Sequence, residues 1–329
     1  MAGLVFSSTV RVWFHYAFYD WTRGMPRSKR LATWLAILMQ GYAVAFAVSR
    51  PQLWQFMLRH NELVPYLGVF LLYLLADRVM HGLMTSEIIR KTQLEADQIA
   101  AQQIQKTLQP ENLDPLAGYE MEVCYEPFRA VGGDYFDVIE LSGDQTLFAV
   151  ADVSGKGMPA ALLAANIQAL VRSLATINPD PLALANQINK HLNRYTPHNR
   201  FATAVFILLS RNSGEVTYVN AGHNSPIVFC DGSATSLDAT GMPMGLLGTA
   251  QYESRTSIIP NGGILLLFTD GLTDSIAGSD PESRLRNSIR DSAAETLSNL
   301  KSLIDPKLKE DDVTILLVKR TRPEALLPV

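Results

Sequence analysis

The sequence predicts an α+β protein in which an apolar helical region precedes a domain of short grouped strands with helices set between the groups. Three observations lead there. Residues 31–49 are a run of nineteen without a charge, close to the roughly 20 that cross a bilayer core as a helix. The stretch 85–109 has no Gly or Pro and is rich in Ala, Gln, Glu and Lys, which favour helix. After Pro115, short apolar runs alternate with turn signals. Strands that come in groups, rather than one per helix, point to α+β rather than a doubly wound sheet.

With 329 residues the chain has room for one sizeable domain and an accessory region. Its 28 basic and 32 acidic residues give a net charge of −4, without the basic field that nucleic-acid binders carry, which argues against a nucleic-acid partner. Cys124 and Cys230 each lie singly in an apolar run. They read as core thiols of a reducing compartment, not as metal or disulfide cysteines.

Taken in order, the first element is an aromatic stretch, Trp13, Phe14, Tyr16, Phe18, Tyr19 and Trp21, suited to a helix lying at headgroup level. The 31–49 run follows Arg23, Arg27, Lys29 and Arg30, and a second apolar segment at 63–76 is followed by Arg78, Arg90 and Lys91. Basic outer flanks place both ends on the cytoplasmic side. Residues 1–84 are thus expected to anchor the chain with two transmembrane helices, a soluble helical sensor being the alternative. Residues 85–115 are expected to be a helical linker. In it Leu94, Ala101, Ile104 and Leu108 keep a seven-residue stripe that Asp97 interrupts, consistent with a short, imperfect coiled coil pairing two copies or with a solvated single helix. Pro110 ends it.

The domain 116–320 follows, with a tail at 321–329. Its run TLFAVAD at 146–152 is strand-like, Met158–Ala175 and Pro181–Arg194 have helical spacing, and further strands are expected at 203–209, 215–220, 225–230, 264–269 and 313–319. Three aspartates stand at strand ends: Asp152 after LFAVA, Asp270 after ILLLFT and Asp311 before DVTILLV; a fourth, Asp134, follows Gly132 and Gly133, which let the backbone come close to a ligand. A carboxylate at the mouth of a buried strand is costly unless a cation meets it. Few basic residues stand near these four, and hard oxygen donors select Mg²⁺ or Mn²⁺ over zinc.

Six stretches resemble the bacterial PP2C-like phosphatases of the SpoIIE and RsbU type, in that family's order: VGGDYFD at 131–137, VADVSGKGMPAAL at 150–162, NAGHNSP at 220–226, GMPMG at 241–245, LLLFTDGLTDS at 265–275 and EDDVTILLV at 310–318. The resemblance implies a two-sheet antiparallel β-sandwich flanked by helices, with two Mn²⁺ or Mg²⁺ ions at one edge. It implies Asp152 as bridging ligand beside the Val153 carbonyl, Asp270 and Asp311 as ligands of the first ion, Asp134 as ligand or water anchor of the second, and Asp274 as ligand of a weak third. Asp311 is assigned in preference to Asp312 because the family's carboxylate stands three residues before the threonine, here Thr314. Arg129 resembles the arginine that holds the substrate phosphate, a task that suits a guanidinium fork.

The implied activity is hydrolysis of phosphoserine or phosphothreonine on a regulatory partner protein, of the anti-sigma-factor-antagonist kind, by a water activated between two ions, with no phosphoenzyme. The implied location is the bacterial inner membrane, with the catalytic domain in the cytoplasm. A catalytically silent membrane-tethered binding module of the same fold is the alternative, which the complete carboxylate set disfavours. Two positions depart from the pattern. Ser154 stands where the eukaryotic branch has a histidine, which leaves the general acid open; His223, the tempting substitute, reads better as a residue that fixes a turn. SGKG at 154–157 does not match the P-loop spacing and reads as a strand-to-helix turn, and the helix it opens resembles the family's switch element.

Overall fold

The computed structural model describes residues 63–109, 113–197, 199–278 and 280–321, with Gln52 and Gln55 before them. The aromatic stretch and the 31–49 run lie outside the described residues. The chain divides into two units, up to Ile89 and from Arg90 onward. Helix α1, Leu63–Leu108, contains the second apolar segment and most of the expected linker, with no helix end at 84. Among the described residues one helix, α2 (Met158–Ala175), is long and apolar enough to cross a membrane. One face of it is packed in the domain core.

The second unit holds two five-stranded antiparallel sheets. One has the order β1 (Tyr119–Glu126), β10 (Val313–Arg320), β9 (Ile264–Phe268), β6 (Ile227–Cys230), β7 (Ser233–Ser236); the other runs β2 (Tyr135–Glu140), β3 (Gln145–Val153), β4 (Ala202–Ser210), β5 (Glu215–Ala221), β8 (Arg255–Ile258). Helices α2 and α3 (Pro181–Tyr195) cover the second sheet; α4 (Asp270–Asp274), α5 (Pro281–Ser288) and α6 (Ala293–Ser302) belong with the first. This is the α+β sandwich that the resemblance implied.

The layering follows from period-two alternation on strands buried on both faces. On β3, Leu147, Ala149, Ala151 and Val153 face α2 and α3, packing with Ile167, Val171, Leu184 and Ile188. Phe148 and Val150 point the other way and meet Leu265, Leu267 and Leu316 between the sheets. A strand covered on both sides reads as an unbroken apolar run, which is why TLFAVA is so legible in sequence. Helix α3 begins as its sequence dictates: Asp180 caps it by accepting the Ala183 N–H at 3.0 Å, with Pro181 in the first turn.

The sheet edges bring the carboxylates together. In the β2–β3 pair Tyr135 lies opposite Ala151, so the start of β2 and the end of β3 coincide. In the β9–β10 pair Phe268 lies opposite Ile315, so the end of β9 meets the start of β10. Antiparallel pairing thus gathers Asp134 and Asp152 at one edge of one sheet, and Asp270 and Asp311 at an edge of the other.

Candidate metal centre

Asp134 links those two edges. Its buried carboxylate accepts hydrogen bonds at Oδ2 from the Thr269 hydroxyl at 2.8 Å and the Thr314 hydroxyl at 2.6 Å, both from the opposite sheet. Burial, and then the charge of Asp152, push its pKa well above the ordinary carboxylate range. Asp152 is pushed up to about 7, first by burial, then by the charges of Asp270, Asp311 and Asp312. Asp270, at the start of α4, is raised by burial and by Asp311 and Asp274. A set of carboxylates that raise one another's pKa is a set that a cation would stabilise. Their all-oxygen chemistry fits a hard divalent ion. Among the described residues, however, no three acidic, histidine or cysteine side chains stand ready as one ligand cluster.

The neighbouring aspartates at 311 and 312 have different surroundings. Asp312 is buried and turned inward: Oδ1 accepts the Phe128 N–H at 2.7 Å and Oδ2 the Gly133 N–H at 2.6 Å. Burial raises its pKa, partly offset by those two amides. Asp311 is partly exposed, accepts the Asp312 N–H at Oδ1, and forms an ion pair through Oδ2 with Lys156 at 2.8 Å. Asp312 therefore braces the loop that carries Asp134, and Asp311 is the more open of the two toward the site.

That bracing corrects the expectation for Gly132. A Cβ there would collide with the Tyr125 hydroxyl and come within 2.7 Å of Asp312 Oδ2, so the missing side chain makes room for the protein's own groups rather than for a ligand. Gly155 and Gly157 do serve the strand-to-helix turn, at φ 94° and 77°. Arg200 supports the same turn by donating to the Ser154 carbonyl at 2.7 Å. The Val153 carbonyl lies 3.1 Å from where a Gly133 Cβ would stand, facing the Asp134 loop. Arg129 is exposed after β1, and its guanidinium lies 3.8 Å from the Cβ position of Gly157. Asp274 ends α4, exposed, near enough to act on Asp270.

Other residues of the stretches that carry the resemblance are scaffold. Asp137 of VGGDYFD is fully buried and takes both Arg172 Nε at 2.7 Å and a second guanidinium nitrogen at 2.9 Å, tying β2 to α2. His223 is buried, its N–H held by Asn220 Oδ1 at 2.7 Å and its Nδ1 2.8 Å from the Thr203 hydroxyl. Burial pushes its pKa down to about 4, which suits the turn-fixing reading. GMPMG pairs Met244 with Ala202 through two backbone hydrogen bonds.

Sequence reasoning missed the polar frame: Thr269, Thr314, Asp312, Lys156 and, on α1, Gln105. Gln105 clamps Gly132 from both sides, accepting its N–H at 3.0 Å and donating to its carbonyl at 2.8 Å. Ile104 and Leu108 of the same helix line an apolar cavity of about 100 Å³ with Met158, Ala161 and Ala165 of α2. The signal was an amide-bearing side chain recurring in a helix otherwise readable as solvated, and it has no meaning until Gly132 is placed beside it.

Residues 142–321 match the family model of stage II sporulation protein E. The chain is 24% identical over 233 residues to the phosphoserine phosphatase RsbU of Bacillus subtilis, covering 67% of this chain and 69% of that protein. It is 25% identical over 217 residues to the phosphoserine phosphatase RsbP of the same organism, covering 62% of this chain but only 54% of RsbP. Its fold resembles the SiaA-PP2C domain of Pseudomonas aeruginosa with a TM-score of 0.60 and 21% identity, over 70% of this chain and 98% of that one.

Proposed function

The chain belongs to the SpoIIE family and is a PP2C-type serine phosphatase, and from that premise we propose that it is a membrane-tethered, metal-dependent phosphatase acting on phosphoserine or phosphothreonine of a regulatory partner protein. The observation that carries the proposal is the gathering of Asp134, Asp152, Asp270 and Asp311 at adjoining sheet edges, with Asp152 raised to about 7 by burial and by its carboxylate neighbours. Asp152 and Asp270 would hold divalent ions together with Asp311 and the Val153 carbonyl, with Asp134 as ligand or water anchor and Asp274 at a weaker outer position. Bound there, the ions would supply a nucleophilic water near neutral pH and offset charge on the phosphoryl oxygens.

The chain's own residues do the rest. Thr269 and Thr314 fix Asp134 by donating two hydroxyls to one oxygen, Oδ2. Asp312 holds the Phe128–Gly133 loop by two backbone amides and so sets where Arg129 starts. Arg129, exposed beside the Gly157 turn, would take two oxygens of an incoming phosphate. With His223 buried among Thr203 and Asn220, proton delivery to the leaving oxygen falls to another group or to water. The membrane tether rests on the uncharged 31–49 run and its basic flank, and pairing of two copies on the exposed Leu94 and Ile104 of α1.

Residues 90–329 should hydrolyse a phosphoserine peptide with Mn²⁺ or Mg²⁺ and stop on addition of EDTA. Full activity after exhaustive chelation would refute the metal-dependent reading.

A further inference from the structure

Lys156 stands at the centre of the site without a part in the chemistry described so far. It lies between the two left-handed glycines of the β3–α2 turn. Its ammonium is 2.8 Å from Asp311 Oδ2, donates to the Glu310 carbonyl at 2.5 Å, and sits 5.4 Å from the centre of the Phe128 ring. One side chain thus ties together three segments: its own turn, the loop after β1 and the residues before β10. The turn cannot easily withdraw, because Arg200 holds the Ser154 carbonyl two residues upstream.

Asp311 is the carboxylate that the metal reading assigns to the first ion, and both of its oxygens are engaged, Oδ1 by the Asp312 N–H and Oδ2 by Lys156. We propose that Lys156 is a built-in competitor of the divalent cation at Asp311 and sets how tightly the site holds metal; the proposal rests on the metal-dependent reading above. An ammonium and a divalent ion held at the same oxygen repel each other, so each weakens the other's hold on Oδ2. Metal binding is therefore tightest when the Lys156 side chain leaves Asp311. It can do so, being more than a third exposed, and its departure also frees the Glu310 carbonyl and the Phe128 ring. Metal occupancy is in this way coupled to the seating of the β3–α2 turn against its neighbours.

The test is Mn²⁺ binding to the full-length chain in detergent, read from the free-ion electron paramagnetic resonance signal, so that no turnover is involved. Lys156→Gln should bind Mn²⁺ about two- to fivefold more tightly than wild type, the range open to a partly exposed ion pair. Lys156→Arg keeps the charge and should stay near the wild-type affinity, and Lys156→Met serves as a second neutral variant should the glutamine fold poorly. Asp311→Asn should bind markedly more weakly. Neutral variants with unchanged or weaker affinity, alongside a weakened Asp311→Asn, overturn the proposal alone. If Asp311→Asn binds as wild type does, or wild type binds no Mn²⁺, the metal reading falls and the proposal with it.

Discussion

Replacing Asp152 with Asn should make the metal-free domain more stable at alkaline pH while removing its activity. In the folded domain the Asp152 carboxyl is raised from an ordinary 3.8 to about 7 by burial and by Asp270, Asp311 and Asp312. A carboxylic acid whose folded pKa is raised binds its proton more tightly when folded, so stability is greatest below the unfolded value. It is lost as pH climbs from about 4 to 7, and the loss is complete above that. At 1.36 kcal/mol per pH unit the full penalty at pH 8 is roughly 4 kcal/mol; Asp152 is partly exposed, and solvent screening brings the expected effect to about 2 kcal/mol. The amide keeps the shape and removes the charge. For a domain of this size about 2 kcal/mol corresponds to roughly 4–8 °C in melting temperature. Calorimetry of residues 90–329 in EDTA at pH 5, 6.5 and 8 should show the Asn variant melting above wild type at pH 8, with the gap closing at pH 5. A variant that melts at or below wild type at pH 8, or a gap independent of pH, would refute the idea that these carboxylates repel one another in want of a cation.

Three further outcomes are expected. Asp270→Asn should abolish phosphopeptide turnover with an unchanged circular dichroism spectrum, since the amide preserves volume and the start of α4 but not the ligating charge; most of the wild-type rate remaining would remove Asp270 from the site. Gln105→Ala deletes both hydrogen bonds to Gly132, at a cost of about 1–2 kcal/mol of stability, and should weaken Mn²⁺ binding by loosening the Asp134 loop; chemical denaturation and Mn²⁺ titration would each detect it. The full-length protein should resist extraction of membranes with alkaline carbonate, and release into the soluble fraction would dispose of the proposed anchor.

Elements whose cause is local were readable along the chain. Helix α2 was expected over its observed span, Met158–Ala175, because Pro159 and the glycine turn start it and its apolar spacing persists to the end. β3, β4, β5, β9 and β10 announced themselves as apolar runs because both of their faces are covered. Strands β7 and β8, and helices α5 and α6, are short and largely polar, with little apolar periodicity to betray them, and they went unread. Helix α1 runs from the second apolar segment into the expected linker without a break, since no Pro stops it near residue 84.

For the site, the sequence by itself determined which carboxylates stand at strand ends and that their oxygen chemistry suits a hard cation, because both properties follow from residue type and position along one strand. Only the tertiary structure decided that Asp134 is held by two threonines of the opposite sheet, that Asp312 braces a loop while its neighbour Asp311 meets Lys156, and that Gln105 grips Gly132. These partners lie 27 to 184 residues apart in sequence. Strand pairing and the packing of two sheets bring them together, and the direction in which a polar side chain points depends on what that packing places beside it.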